Sequence, residues 1–189
     1  RDLDVDLLTL SAHKLYGPKG VGCLYVRRGT RMAPLVRGGG QERNRRAGTE
    51  NVAGLVGFGV AAALAREGLE AERARLAALR DRLEARLLAI PGALRNGGEP
   101  RLPNTANVSF EGTESEALLI ALDLEGIAVS TGAACAAGGV EPSHVLRAMG
   151  LPPERVQSSL RLSLGRATTE ADVDHAADVI TRAVARQRR

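Results

Sequence analysis

Of the 26 lysine and arginine residues in this chain of 189, only Lys14 and Lys19 are lysine. Arginine cannot serve as an amine nucleophile, because its guanidinium stays protonated; a Schiff base needs the neutral amine that lysine supplies. Lys14 follows an apolar run and is preceded by Ser11 and His13, small donors suited to holding a phosphate beside an amine. Taken alone, a lysine in a turn is more often simply solvated. Cys135 lies in Thr131-Gly-Ala-Ala-Cys-Ala-Ala-Gly-Gly139, a small-residue stretch that makes a poor core and suits a moving loop with a nucleophilic thiol. Arg161 lies within the alternation of Leu160, Leu162 and Leu164. A guanidinium fork pairs a carboxylate through two parallel hydrogen bonds, and the plainer reading of Arg161 is a surface salt bridge.

Positioning these residues requires strands, turns and helices in mixed order. Val5 to Leu10 and Gly20 to Val26 read as two strands, with a turn-rich segment from Ser11 to Gly20 between them. Cys23, inside the second strand, reads as core packing. Gly38-Gly-Gly40 and the basic stretch to Thr49 form an irregular segment. From about Asn51 to Ile90 the pattern is helical, with Leu69, Leu76, Leu79, Leu83, Leu87 and Ile90 on one face and Gly68 marking a break or bend. Glu70 with Arg73 and Glu72 with Arg75 pair on the solvent side. Then come a strand at Asn107–Phe110, a helix at Glu114–Leu124 and a strand at Ile127–Ser130. A short helix from Pro142 to Met149 has proline in its first turn. A strand at Ser159–Leu164 precedes a last helix capped by Thr168 or Thr169. Mixed strands and helices argue for an α/β or α+β fold.

Composition narrows the function classes. With 44% hydrophobic residues the chain can fill a sizeable core, and no apolar window is long enough to span a membrane. The net charge of +4 is carried by arginine, and an aromatic fraction of 2% without Trp leaves no stacking platform for single-stranded nucleic acid. Two cysteines without a secretory leader point to free thiols in a reducing, cytoplasmic setting. His144 and His175 read as surface residues, and no CxxC or HxxxH spacing builds a metal site. The opening at Arg1, directly before an apolar strand, reads as the start of a piece of a longer polypeptide.

Ser11-Ala-His-Lys-Leu-Tyr-Gly-Pro-Lys-Gly20 closely resembles the lysine segment of fold-type I pyridoxal-phosphate enzymes of the class V aminotransferase group. Within that group the chain is similar to cysteine desulfurases of the nitrogen-fixation and iron-sulfur-cluster type. Three further segments agree in order: Gly38-Gly-Gly-Gln-Glu-Arg43 with Arg46-Ala-Gly-Thr-Glu-Asn51, then Ser130-Thr-Gly-Ala-Ala-Cys135, then Ser159-Leu-Arg-Leu-Ser-Leu-Gly165. The family usually has serine where this chain has Ala133 or Ala134.

The resemblance implies an α/β pyridoxal-phosphate transferase fold of type I. Residues 1–60 would be the last part of its large cofactor domain, and 61–189 a linking helix with most of the small α+β domain. It implies that Lys14 forms the Schiff base with pyridoxal phosphate, that Ser11 and His13 bind its phosphate, and that Thr49 reaches the phosphate of the partner subunit's cofactor in a homodimer. Arg161 would hold the substrate carboxylate. Cys135 would accept sulfur from L-cysteine as a persulfide, leaving L-alanine, and would pass it to an acceptor such as an iron-sulfur scaffold protein or a tRNA-thiolation enzyme. A transient iron-sulfur contact of Cys135 with a scaffold is also implied, with no resident metal. The aspartate that pairs with the pyridine nitrogen has no counterpart here, so the isolated 189 residues are expected to turn over little. Other class V enzymes, such as a selenocysteine lyase or an aminotransferase, stay open, as does a non-catalytic basic binding fragment; the loop cysteine argues against the aminotransferase.

Overall fold

The computed structural model describes residues 3–132 and 142–189. They divide into two compact units that part between Leu69 and Glu70.

In the first unit β1 (Leu7–Ser11) pairs antiparallel with β2 (Gly22–Val26), from Leu7 opposite Val26 to Ser11 opposite Gly22. A 3-10 turn, Ala12–Leu15, leaves the end of β1. The helix expected from Asn51 begins as α1 (Val52–Glu67), with the Asn51 side chain accepting from the Gly54 N–H at 3.1 Å. It stops at Gly68, whose N–H returns to the Leu64 carbonyl at 3.1 Å, and α2 (Leu69–Leu88) follows as a separate helix. Cys23 is exposed rather than packed in a core. The apolar composition of β2 signalled burial, but among the described residues its ribbon has only two strands and no layer over them, so Leu24 and Tyr25 are exposed beside it.

The second unit is a three-stranded antiparallel sheet in the order β3 (Ala93–Arg95), β4 (Thr105–Phe110), β5 (Ser159–Ser163). One face is apolar: Val108, Phe110, Leu160 and Leu162 pack with Leu83 and Leu87 of α2, Leu118 and Leu122 of α3 (Ser115–Asp123), and Val173, Ile180 and Val184 of the last helix. The heptad-like spacing of α2 thus marks its buried side from Leu76 to Leu87, whereas Leu69 is exposed. The alternation of β4 and β5 sends the polar residues between these to the opposite face. Two short helices, α4 (His144–Ala148) and α5 (Pro153–Gln157), precede β5.

Several local expectations change. Ile127–Ser130 forms no strand; it touches the sheet through a single bridge between Ser130 and Arg161. Pro142 lies before the first turn of α4, because Ser143 is the cap and accepts from the Leu146 N–H. The last helix, α6 (Glu170–Gln187), is capped by Thr169 in a reciprocal box: its hydroxyl accepts from the Asp172 N–H at 3.2 Å, and its own N–H donates to the Asp172 carboxylate at 2.9 Å. Those Thr169 bonds hold the Asp172 carboxyl below its ordinary range. Thr168 instead accepts from Gly165 N–H. Arg75 pairs with Glu72 as expected, but it also donates to the carbonyls of Gly165, Arg166 and Thr168, so it fixes the turn between β5 and α6.

Helices α2 and α6 are clamped by Asp174, which accepts from Arg82 at 2.7 Å and Arg86 at 3.0 Å. Hydrogen bonding to Arg82, then to Arg86, lowers its pKa from 3.8 to about 2. Because the folded value lies below the ordinary one, the clamp contributes fully above pH 3.8 and is lost as the pH falls toward 2. Asp174→Asn is therefore expected to unfold at a lower temperature than the parent at neutral pH, by the small margin of an exposed pair, with the gap closing in acid. Thermal melts at a series of pH values check this; a gap independent of pH would contradict it.

Candidate functional site

The first unit brings Ser11, His13 and Lys14 together at one strand end. Ser11 is the last residue of β1, and the turn that follows buries Ala12 while leaving His13 and Lys14 exposed. The turn is closed by Ala12 N–H to the Val21 carbonyl at 3.1 Å and Gly17 N–H to the Ala12 carbonyl at 2.9 Å. It rests on α1 at very short range. A Cβ added to Gly17 would stand 3.0 Å from the Ala12 carbonyl oxygen and 3.1 Å from the Ala61 Cβ, and one added to Gly57 would stand 2.6 Å from Pro18 Cγ. Side chains at either position would push the lysine turn off its supporting helix. Lys14 has no ion-pair partner among the described residues. A primary amine, a hydroxyl and an imidazole on one tight turn are a donor set that fits an aldehyde carrying a phosphate.

Thr49 is exposed in the segment that leads into α1. Upstream of it Glu42, Arg43 and Asn44 are left-handed in succession, and the Gly48 N–H donates to the Gln41 side chain at 3.2 Å. No hydrogen bond among the described residues joins Thr49 to Ser11, His13 or Lys14.

In the second unit Arg161 occupies the middle of β5, between the buried Leu160 and Leu162 but on the opposite face. Its position is fixed on both sides. Across β4 it pairs with Asn107, and at its outer edge its N–H donates to the Ser130 carbonyl at 2.6 Å while Ser130 N–H donates back at 3.1 Å. Arg27, Arg75, Arg80, Arg101 and Arg155, the other arginines not fully exposed, all donate to carboxylates, carbonyls or an amide. The half-buried guanidinium of Arg161 has no hydrogen-bond or ion-pair partner among the described residues, a charge placed to receive an anion. The bridge at Ser130 starts the segment that carries Cys135, which lies outside the described residues. His144 and His175 are both exposed.

Sequence reasoning did not single out Asn96, Asn107 or Arg155, which the sheet gathers on the face of Arg161. The signal was present in the alternation of Asn107 and Ser109 with Val108 and Phe110, which places two polar residues on the same side of one strand.

The model of the family described as aminotransferase class-V matches residues 1–175. A cysteine desulfurase of Gluconacetobacter diazotrophicus is 54% identical over 190 residues, covering all of this chain and 48% of the relative. A NifS-like protein from Rickettsia africae superposes with a TM-score of 0.86 at 34% identity, covering 96% of this chain and 48% of the other. The structure of SspA in complex with cysteine superposes with a TM-score of 0.63 at 33% identity, over 86% of this chain and 45% of the other. The chain thus spans about half the length of the curated relatives it matches.

Proposed function

The chain belongs to the class V aminotransferase family, and from that membership we propose that the gene product containing it is a cysteine desulfurase, which takes sulfur from L-cysteine and releases L-alanine. The observation that carries this reading is the guanidinium of Arg161, unpaired among the described residues, with its backbone bridged to Ser130, five residues before Cys135 in the sequence. A carboxylate anchor and a thiol on adjoining pieces of chain suit a substrate that has both a carboxylate and a sulfur.

Lys14 would hold pyridoxal phosphate through its amine, with Ser11 and His13 at the phosphate, and Thr49 would reach the phosphate held by the partner subunit in a homodimer. When bound, this cofactor supplies an electron sink for ionising the Cα–H bond of an amino acid. Arg161 pairs with the substrate carboxylate through its guanidinium fork. With its place at the cofactor taken by the substrate amine, the freed Lys14 amine would take the Cα proton and return a proton to the substrate. Cys135, as thiolate, attacks the substrate sulfur: an S–S bond forms, the C–S bond breaks with its electron pair going to carbon, and protonation of that carbon gives the methyl group of alanine. The persulfide then passes to an acceptor serving iron-sulfur assembly or tRNA thiolation.

The test uses the complete gene product with pyridoxal phosphate and L-cysteine, following alanine and the mass of the Cys135 peptide. Alanine together with a peptide one sulfur atom heavier is expected, both lost in Cys135→Ala. No alanine from the loaded protein would overturn the reading.

A further inference from the structure

A row of residues crosses the polar face of the second sheet. The pairing of Arg95 with Val108 continues through the Asn96 N–H to the Asn107 carbonyl at 2.8 Å, so Asn96, Asn107 and Arg161 lie side by side on successive strands, with Ser130 beyond. Direct cross-strand partners share a face, with Cβ atoms about 5 Å apart. The Ser130 hydroxyl is engaged, donating to the Gly132 carbonyl at 2.9 Å. Asn107 has its own constraint: its Oδ1 accepts from Asn96 Nδ2 at 2.7 Å.

That orientation of the amide is imposed from the far end of the row. Arg155 donates through Nε to Asn96 Oδ1 at 2.7 Å and is itself anchored by donating to the Arg95 carbonyl at 2.6 Å. A guanidinium can only donate, so the Asn96 oxygen must face it and the Asn96 nitrogen must face Asn107. Asn107 must then offer its oxygen to Asn96, which turns its Nδ2 away. The hydroxyls of Ser109 and Ser159, 2.7 and 3.0 Å from Asn96 Nδ2, complete the buried part of the network. Asn107 Nδ2 has no protein partner among the described residues and is not sealed from solvent.

We propose that Asn107 is a substrate-binding residue, donating its amide N–H to the same substrate carboxylate as Arg161, with Asn96 and Arg155 as the positioning residues that fix its polarity. This rests on the reading of Arg161 as the carboxylate anchor. An amide donor beside a guanidinium distinguishes a carboxylate from a carboxamide, because only the former accepts from both without presenting a donor of its own.

The complete gene product is assayed with L-cysteine and with L-cysteinamide, as parent, Asn107→Ala, Asn107→Asp and Arg161→Ala. Losing one hydrogen bond to a charged group corresponds to roughly a ten- to hundredfold fall in kcat/KM. That fall is expected for Asn107→Ala on L-cysteine, mainly through KM, with cysteinamide little changed. Asn107→Asp keeps the acceptor for Asn96 and nearly the same volume, yet sets a negative charge beside Arg161; it is expected to cost more on L-cysteine than the alanine change. Equal losses on both substrates would show a merely structural role and overturn the proposal, as would no loss on either. If Arg161→Ala shifts the preference for the carboxylate while Asn107→Ala does not, only the role of Asn107 fails. If Arg161→Ala leaves that preference unchanged, the anchor itself is overturned.

Discussion

Replacing Lys14 with arginine in the complete gene product is expected to lower alanine formation from L-cysteine by at least about 10²–10⁴-fold, the range lost with a general acid–base group. The substitution keeps a positive charge on the exposed turn, so attraction for a phosphate survives. What disappears is the neutral amine, because a guanidinium does not deprotonate in proteins. Lys19, exposed in the same connection but past Gly17 and Pro18, provides the internal control: Lys19→Arg should leave the rate near that of the parent. The absorbance of the bound cofactor gives a second readout, since attachment to an amine needs lysine. A rate within tenfold of the parent for Lys14→Arg would remove the lysine from the chemistry.

The second large effect concerns stability. Glu84 on α2 is almost fully enclosed, its side chain 6% exposed, and accepts from Arg101 at 2.6 and 3.0 Å, with Arg95 at 3.7 Å. This pair pins the segment between β3 and β4 against the helix, helped by Arg80, which donates to the Leu102 carbonyl at 2.7 Å. Glu84→Ala leaves the Arg101 guanidinium, 17% exposed, with only the outer carboxylates of Glu99 and Asp81. Stripping one partner from a buried pair costs about 3–5 kcal/mol, and the partial access of Arg101 to water places the expected loss near the lower end. Replacing both, as Glu84→Leu with Arg101→Met, should recover much of the loss because no charge is left stranded. Denaturant unfolding decides the matter. A cost below about 1 kcal/mol for Glu84→Ala would mean that the pair behaves like an ordinary surface one.

Where regular periodicity and local punctuation agree, the sequence was readable. The leucine spacing of α2 located its buried side, the alternation around Leu160 located β5, and Ser11-Ala-His-Lys announced a strand followed by a turn. Burial was less readable than element type. Cys23 lies in an apolar strand that composition would bury, yet burial depends on what covers a strand, and that is not written in the strand itself. Ile127–Ser130 has strand-like residues but only one bridge to the sheet, since pairing is decided by the neighbour's edge. Residues 93–95 are too few to show a period, so β3 became visible only through its pairing with β4. The polar row was missed for a related reason. Asn96, Asn107 and Arg161 are made neighbours only by the register of three strands, and Arg155 reaches them from α5 through its bond to Asn96.

That row behaves as a one-way conductor of hydrogen-bond direction. Hydroxyls such as those of Ser109 and Ser159 rotate to suit either sense, but an amide has an acceptor end and a donor end and passes on whichever sense it receives. Arg155 sets the sense for both asparagines, and the even hand-over from guanidinium through two amides delivers a donor at the far end. An acceptor in place of Arg155 would reverse both amides together and deliver a carbonyl, in place of an N–H, beside Arg161. The polarity at one end of the row is thereby set by a residue at the other end.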